Sequence, residues 1–272
     1  MKDRILIFGG GFIGGRLQEA FHADACDTKI HSLQDAQKEI ERRSPKIIIN
    51  CIGYIGRNVD DCELNKDKAI MSNAFIPIIL AEAALRNKIK LVHISTGCIY
   101  HFDYALAEPI DEEREADFLD LFYSRTKIYA EKMLEVLAKR CPILIVRPRI
   151  PLDNRPHPRN ILTKLVASGK VIDTPNSVTY IPDFIEAIKH LIAIEATGIY
   201  HIVNRGALKY PFLLEAYKKY VPDFTYSVVE GRELGGPRAN LILSTKKLEQ
   251  SGFKTRDIKE VIEECLKAYL KY

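Results

Sequence analysis

The sequence lacks the features that direct a chain to a membrane or to a nucleic acid. No apolar run reaches the ~18 residues of a membrane span, and a predicted strand begins at Arg4 without the charged and apolar regions of a signal peptide. The 40 basic and 36 acidic residues are interspersed, so the net charge is only +4. We therefore expect neither a membrane partner nor a nucleic-acid partner.

The cysteines also lack a pattern. None of the six stands in a Cys-x-x-Cys pair or in a cluster with other metal ligands. Scattered cysteines of this kind are typical of a reducing compartment, so we expect a cytoplasmic protein with no metal site. The six are Cys26, Cys51, Cys62, Cys98, Cys141 and Cys265.

A glycine-rich turn stands near the N-terminus. The predicted strand Arg4–Phe8 runs into GGGFIGGRLQEAF, in which three glycines fit G-x-G-x-x-G. Such glycines permit a tight turn, close approach of a pyrophosphate to backbone N–H groups and close helix packing. The alternative is a glycine-rich loop without a ligand. The predicted cofactor contacts are Gly9, Gly11, Phe12, Ile13 and Gly14.

The next two strands suggest which dinucleotide binds. We predict the second strand at Thr28–Ser32, where Ser32 would contact the cofactor and no carboxylate follows until Asp35. The missing carboxylate favours NADP(H), while NAD(H) stays possible because no arginine is there to bind a 2′-phosphate. The third strand, Lys46–Asn50, precedes a polar loop in which Cys51 and Gly53 are further candidate contacts.

The stretch from Leu91 to Lys127 carries the chemistry. A fourth strand, Leu91–Ser95, delivers Thr96 and Cys98 at its carboxyl end. Tyr123 and Lys127 stand four apart on a predicted helix and share one face. A lysine ammonium beside a phenol favours the phenolate, which can exchange a proton with a carbonyl or alcohol. A Tyr-x-x-x-Lys pair is usually only a surface pair, but the glycine turn and the Thr96 strand end complete a nicotinamide oxidoreductase pattern.

The element order predicts the fold class. Strands and helices alternate through a fifth strand at Ile143–Val146, which indicates α/β architecture: a Rossmann-type doubly wound parallel sheet with a smaller α/β substrate-binding domain. The arginine- and proline-rich segment RPRIPLDNRPHPRN marks the crossing between the two domains. We predict a dinucleotide-binding domain over 1–150, to which about 178–205 returns, and a substrate-binding domain over 151–272.

At this point the sequence resembles the extended short-chain dehydrogenase/reductases that act on nucleotide sugars. It looks most like the bifunctional 3,5-epimerase/4-reductases of nucleotide-rhamnose synthesis, with dTDP-4-dehydrorhamnose reductase and GDP-fucose synthase as more distant relatives. The resemblance covers nearly the whole chain. One departure is the turn FGGGFIGG, where the group usually has G-x-x-G-x-x-G. The motifs that carry the resemblance are NCIGYIGRNVDDCE, STGCIY, FYSRTK, RPRIP, PRNILTK, IDTPNSVTYIPD and GPRAN.

The resemblance assigns roles to individual residues. Thr96 would hydrogen-bond the sugar carbonyl, Tyr123 would deliver the proton, and Lys127 would also hold the nicotinamide ribose. Cys98 and Lys164 would be the additional acid/base pair of the epimerising members. Residues near the nucleotide-sugar diphosphate or base would be Arg57, Asn58, Arg149, Arg159, Asn160 and Arg238. Without the resemblance, Cys98 would be a small buried residue, and Lys164 and the arginines would be solvated charges.

The function implied is an NAD(P)H-dependent conversion of a UDP- or dTDP-linked 4-keto-6-deoxyglucose to nucleotide-β-L-rhamnose. The carbon-4 ketone acidifies the hydrogens at carbons 3 and 5, so a thiol and an amine could invert those centres before reduction. One alternative is a reductase on the same scaffold that does not epimerise. Another is a non-catalytic NADP-binding subunit. Relatives often pair through the helix that carries Tyr123, so a homodimer is also possible.

Overall fold

The computed structural model describes residues 4–26, 28–106, 108–234 and 237–272, with the side chains of Arg232 and Leu234 left aside. The chain forms two compact units, each with its own apolar core. Unit 1 contains residues 1–99, 116–147 and 193–200. Unit 2 contains residues 100–115, 148–192 and 201–272.

Unit 1 is organised around a six-stranded sheet in the order β2-β1-β3-β4-β5-β9. The first five strands pair in parallel, and β1, β3, β4 and β5 are short apolar runs that lie almost wholly buried. This burial on both faces is characteristic of a parallel sheet covered by helices. The strands are β1 (Ile5–Phe8), β2 (Asp24–Cys26), β3 (Ile47–Asn50), β4 (Lys90–Ile94), β5 (Ile143–Arg147) and β9 (Gly198–His201). The predicted α/β fold with a parallel central sheet is confirmed.

Six α-helices belong to the described part of unit 1, and a π turn interrupts one stretch of them. The turn Met71–Phe75 precedes Pro77, whose ring nitrogen has no hydrogen to donate to the carbonyl of Asn73. By length and composition alone the helical stretch Lys66–Asn87 could cross a membrane, although 44% of its most apolar window is buried within the protein. The helices are α1 (Phe12–Phe21), α2 (Leu33–Arg43), α3 (Asp61–Leu64), α4 (Lys66–Ile70), α5 (Ile76–Asn87) and α6 (Phe122–Ala138).

Unit 2 has shorter strands and a helical core. Its two small parallel sheets pair β6 (Pro151–Leu152) with β8 (Thr179–Tyr180) and β7 (Lys170–Val171) with β10 (Ser227–Val228). Helices cover them, and a short 3₁₀ helix spans Gly231–Leu234. The helices are α7 (Ile161–Ser168), α8 (Ile181–Ala193), α9 (Tyr210–Lys218), α10 (Lys246–Gln250) and α11 (Ile258–Tyr269).

The predicted second strand is wrong. The strand that pairs with β1 is Asp24–Cys26, and Ser32 instead caps α2, where its side chain and Asp35 form a reciprocal capping box. Ser32 therefore does not end a strand. The residue that follows β2 in the sequence is the acidic Asp27, which lies outside the described residues. The argument for NADP(H) from a missing carboxylate therefore loses its basis.

The domain boundaries also differ from the prediction. Residues 100–115 join unit 2 because Ile110 exchanges backbone hydrogen bonds with Ile242 and Ser244. The segment 178–192 stays in unit 2 as well, where Asp183 on α8 pairs with Arg256. After residue 148 the return to unit 1 is thus confined to 193–200, and the predicted crossing segment begins at the boundary between residues 147 and 148.

Candidate functional site

The glycine turn after β1 has the geometry of a dinucleotide cradle. Gly9 has a φ of +95°, and a Cβ there would lie 2.9 Å from the backbone of Cys51 and Ile52. A Cβ on Gly14 would lie 1.8 Å from the Gly9 carbonyl oxygen. Both positions therefore require glycine. Gly11 differs, since a Cβ there would meet nothing within 4 Å.

The open space at Gly11 lies at the start of α1. Gly11 is the N-cap and no side-chain hydrogen bond caps the helix. The first backbone N–H groups of a helix have no carbonyl partner within the helix itself. A helix N-terminus with a backbone that a ligand can approach closely fits a pyrophosphate. The residues of this turn thus fit the dinucleotide that the sequence predicts.

A loop after β3 closes one side of this turn. Asn73 lies in the π turn with its side chain fully buried. Its Oδ1 accepts from the Tyr54 N–H at 2.7 Å, and its Nδ2 donates to the Tyr54 carbonyl at 2.9 Å and to Thr126 Oγ1 at 3.2 Å. Asn73 thereby ties the loop that holds Cys51 and Gly53 to α6. Sequence reasoning did not propose Asn73, although a polar residue in an apolar helix was a usable signal.

Two neighbouring strand ends place neutral groups near the predicted lysine. Asn50 Nδ2 lies 3.1 Å from His93 Nδ1 across β3 and β4. Burial, and secondarily the charge of Lys127, hold the pKa of His93 well below its ordinary value. Burial raises the pKa of the Cys51 thiol to about 12, which Lys127 partly opposes. Both groups are therefore neutral at physiological pH.

The segment after β4 presents two of the predicted catalytic side chains. The Thr96 side chain is buried, and its Oγ1 accepts the Cys98 N–H at 3.1 Å. Its hydroxyl hydrogen therefore points elsewhere. Ser124 Oγ donates to the Cys98 carbonyl at 2.6 Å, which joins this segment to the first turn of α6. Cys98 is half-buried and reduced.

Helix α6 carries the predicted tyrosine and lysine. Tyr123 is half-buried, whereas Lys127 is buried and its Nζ donates to the Ile94 carbonyl at 3.0 Å. Burial lowers the pKa of Lys127 to about 8, while the nearby Glu131 and Cys51 oppose this shift. Thr96 and Cys98 thus follow the carboxyl end of β4, and α6 is joined to the same region through Ser124 and Lys127.

The structure places Arg57 and Asn58 in an exposed turn of unit 1. Gly56 precedes them with a φ of +58°, and a Cβ there would lie 2.3 Å from the Asp61 side chain. The Arg57 N–H donates to Asp61 Oδ2 at 2.8 Å, but the Arg57 side chain is 91% exposed. Asn58 Oδ1 accepts from the Asp60 N–H. The side chains of Asp61 and Asn58 thus fix the turn, and Arg57 Nε also lies 3.5 Å from Asp61 Oδ2.

In unit 2 the predicted substrate residues divide into two groups. Arg149 is buried, where its Nη2 donates to Asn176 Oδ1 at 2.6 Å and to the Ala239 carbonyl. Asn160 is buried too, and it caps α7 while its Nδ2 donates to the carbonyls of Asp153 and Arg155. These polar atoms make hydrogen bonds within unit 2, so the roles of Arg149 and Asn160 in substrate binding stay predictions.

The other predicted residues of unit 2 face solvent. Arg159 and Lys164 are exposed at the start of α7, and burial together with the charge of Arg159 lowers the pKa of Lys164. Arg238 differs from these two, since it is half-buried and its Nη1 donates to the Pro237 carbonyl at 2.8 Å. Across the described ranges, no group of three or more His, Cys, Asp or Glu side chains could hold a metal.

The glycine turn, the Thr96 strand end and the Tyr123–Lys127 pair of α6 all belong to unit 1. Together they define a nicotinamide-dependent oxidoreductase of the extended short-chain dehydrogenase/reductase class. Within that class, the chain belongs to the RmlD substrate binding domain family, whose model matches residues 3–271.

Individual relatives agree with this assignment. The chain is 32% identical to a bifunctional dTDP-4-dehydrorhamnose 3,5-epimerase/dTDP-4-dehydrorhamnose reductase of Arabidopsis thaliana, over 94% of this chain and 89% of that protein. Its fold matches the UDP-rhamnose synthase of Acanthamoeba polyphaga mimivirus with a TM-score of 0.90, at 21% identity and over 98% and 99% of the two chains. It also matches dTDP-4-dehydrorhamnose reductase of Bacillus anthracis, in complex with NADP, with a TM-score of 0.84, at 25% identity and over 100% and 99%.

Proposed function

We propose that this protein is an NAD(P)H-dependent enzyme that epimerises carbons 3 and 5 of a UDP- or dTDP-4-keto-6-deoxyglucose and then reduces carbon 4, giving nucleotide-β-L-rhamnose. The observation that carries the proposal is the burial of the Lys127 amine against the Ile94 carbonyl, one helical turn from Tyr123 and beside the Thr96–Cys98 segment. This constellation suits proton transfer to a carbonyl oxygen.

In the proposed reduction, three side chains act on the carbon-4 oxygen. Thr96 donates its hydroxyl hydrogen, because its lone pair already accepts the Cys98 N–H. Tyr123 donates the proton that converts the carbonyl to an alcohol, and the Lys127 ammonium stabilises the phenolate left behind. A bound reduced nicotinamide would supply the hydride.

In the proposed epimerisation, Cys98 and Lys164 form the acid/base pair. One group removes the hydrogen beside the ketone to give an enolate, and the other returns a proton to the opposite face. Burial and the charge of Arg159 lower the pKa of Lys164, a shift in the direction that favours its basic form. Thr96 and Tyr123 would stabilise the enolate oxygen by hydrogen bonding.

The exposed guanidinium groups are proposed to bind the anionic part of the substrate. The exposed Arg57 and Arg159 offer fork-shaped donors that match diphosphate oxygens, and the half-buried Arg238 and the exposed Asn58 are proposed to assist them. The proposal keeps both nicotinamide cofactors open, since Asp27 follows β2 in the sequence whereas the Bacillus anthracis relative was solved with NADP.

The test is a coupled assay with UDP- and dTDP-4-keto-6-deoxyglucose, each with NADPH and NADH, in heavy water. We expect the reduced cofactor to be oxidised and deuterium to enter the sugar at carbons 3 and 5. Absorbance measures the first and NMR the second. Cys98→Ser and Lys164→Ala should abolish deuterium entry but retain reduction of a substrate that is already epimerised. Lys170→Ala is the matched control, because Lys170 is an exposed lysine that follows α7.

The two rivals predict other outcomes. Cofactor oxidation without deuterium entry would leave a plain 4-keto reductase. Cofactor binding without oxidation of any keto-sugar would favour a non-catalytic subunit. The described side chains supply Thr96, Tyr123 and Lys127 together, and this supports the enzymatic proposal over the second rival.

We also propose a cytoplasmic homodimer that pairs through α6. Three apolar side chains at helical spacing face outward on this helix: Tyr129, Met133 and Val136 are 54%, 47% and 61% exposed. Phe75 adds an exposed ring on the neighbouring helical stretch. Six cysteines that all remain free are consistent with the compartment.

Analytical ultracentrifugation tests the dimer. Met133→Glu should give a monomer, because it places a charge within the apolar stripe, whereas Lys132→Glu beside the stripe should leave the mass unchanged. A monomeric wild-type protein at micromolar concentration would contradict the dimer without affecting the proposed reaction.

A further inference from the structure

Glu131 is a buried carboxylate one helical turn beyond Lys127 on α6. It is 2% exposed, and its partner Arg147 at the end of β5 is 4% exposed. Arg147 Nε donates to Glu131 Oε2 at 3.0 Å, and Arg147 Nη2 donates to the same oxygen. Ser95 Oγ donates to Glu131 Oε1. One carboxylate thus joins α6, β5 and the residue that follows β4.

A buried ion pair of this kind contributes little net stability, because both charges must lose their water on folding. Apolar side chains of similar volume often stabilise a core as well as a buried pair does, or better. The position of this ion pair beside the proposed reacting groups therefore suggests that it has a role in the reaction as well. The surroundings of Glu131 suggest two contributions, one steric and one electrostatic.

The steric contribution acts through Ser95. The Ser95 N–H donates to the Val146 carbonyl at 2.8 Å, and its hydroxyl donates to Glu131, so the residue is held from both sides. The next residue is Thr96, whose hydroxyl is proposed to meet the carbon-4 oxygen. Glu131 therefore fixes the peptide from which Thr96 extends.

The electrostatic contribution acts on Lys127. The groups that act on its amine are Glu131 on α6, Cys51 after β3 and His93 on β4, with the Ile94 carbonyl as its hydrogen-bond acceptor, while Arg147 on β5 faces Glu131. Cys51 and His93 are neutral, so Glu131 is the anion that favours the ammonium form. Without it, Lys127 would lose its proton at lower pH.

We propose that Glu131 is a positioning residue of the reaction: it aligns Thr96 through Ser95 and keeps Lys127 charged beside Tyr123. The inference rests on the proposed function, since it concerns the same reduction. Glu131 itself does not contact substrate in this scheme.

The first variant is Glu131→Gln, which keeps the shape and removes the charge. We expect kcat to fall about tenfold or more, KM for the nucleotide sugar to change less than about threefold, and the basic limb of the kcat profile to move about one unit toward lower pH. Glu135→Gln is the matched control, because Glu135 lies four residues further along α6 and is exposed. Identical profiles for the two variants would overturn the proposal.

Glu131→Gln leaves Arg147 buried without its anion, so a folding defect needs separate control. The double variant Glu131→Gln/Arg147→Gln removes both charges and relieves this problem. If the pair is only structural, the double variant regains wild-type kcat and pH profile, and the proposal fails. If Glu131 positions the site, the double variant folds but keeps the low kcat and the shifted limb.

Two further variants separate the steric contribution from the electrostatic one. Ser95→Ala should lower kcat without moving the basic limb of the pH profile. Glu131→Asp should return the basic limb to its wild-type position while kcat stays low.

Titration of NADPH fluorescence from neutral to alkaline pH gives a readout independent of the sugar. In this titration, Glu131→Gln should lose affinity for NADPH at a lower pH than wild type and Glu135→Gln do. Inactivity of wild type with every keto-sugar would reject the proposed function alone, whereas unshifted NADPH binding in Glu131→Gln would reject this inference.

Discussion

The carboxyl end of β4 and the start of α7 differ in whether their charged side chains are buried or exposed. At β4, the charged residues Lys127, Glu131 and Arg147 are all buried and bonded within unit 1. Around α7, Asn160 is buried but Arg159 and Lys164 are exposed. The first region is organised before any ligand arrives, and the second keeps its charges in solvent. Variants in the first should therefore alter chemistry and stability, whereas in the second Arg159 variants should alter substrate binding and Lys164 variants should alter epimerisation.

The largest expected effect is on Tyr123. Tyr123→Phe removes the proposed proton donor and keeps the ring, so kcat should fall about 10²- to 10⁴-fold with little change in cofactor affinity. Steady-state assays combined with NADPH fluorescence titration check both. Tyr129→Phe on the exposed face of the same helix is the control and should retain full activity. A Tyr123→Phe variant with wild-type turnover would remove the phenol from the mechanism.

The arginines of unit 2 give the next contrast. Arg149→Ala should lower the free energy of unfolding by about 2–4 kcal/mol, because Asn176 and the Ala239 carbonyl lose a buried donor. Arg159→Ala should change it by less than about 0.5 kcal/mol, since Arg159 is exposed, but should raise KM for the nucleotide sugar. Urea unfolding and substrate titration provide the two numbers. Equal losses of stability would break the comparison between buried and exposed arginines.

Burying the Lys127 ammonium should destabilise the folded protein. The pKa of Lys127 is about 8 rather than the ordinary 10.5, and this difference lowers the free energy of unfolding by about 3 kcal/mol at neutral pH. The unfolded chain binds more protons between these pH values, so the stability of the apo protein should rise with pH over that window. Lys127→Met should lack this rise and gain about 1–2 kcal/mol at pH 7, because the Ile94 carbonyl loses its donor and offsets part of the gain.

Urea unfolding of apo wild type and Lys127→Met at neutral and alkaline pH checks this prediction. Both proteins contain the same tyrosines and cysteines, so the difference between their free energies of unfolding removes the contribution of those groups. A variant less stable than wild type at pH 7 would mean that the Ile94 hydrogen bond outweighs the burial of the ammonium.

The same contrast explains what could be predicted from the sequence. The glycine turn, the β4 end and α6 are local patterns, which the sequence shows directly. The three-residue strand β2 was misplaced because Asp24–Cys26 is short and lies at the edge of the sheet, without an apolar run. Glu131 was missed because its burial depends on Arg147, which lies sixteen residues away on a strand.

A modest effect is expected for Asn160, which the family resemblance placed near the nucleotide sugar. Asn160 Oδ1 accepts from the Leu162 N–H at 3.1 Å, and its Nδ2 donates to two carbonyls. Asn160→Ala should therefore cost about 1–2 kcal/mol of stability. Asn160→Asp keeps the cap but cannot donate to those carbonyls, so it should lose a similar amount through the other contacts.

Thermal unfolding and KM measurements on both variants decide the role of Asn160. If it acts only as a cap and an anchor, KM for the nucleotide sugar should follow the stability loss and return toward wild type at lower temperature. A KM that stays raised in a fully folded Asn160→Ala protein would instead make Asn160 a substrate ligand as well. Asn160 would then be buried and organised in the same way as the groups at the end of β4, and the contrast between the two regions would rest on Arg159 and Lys164 alone.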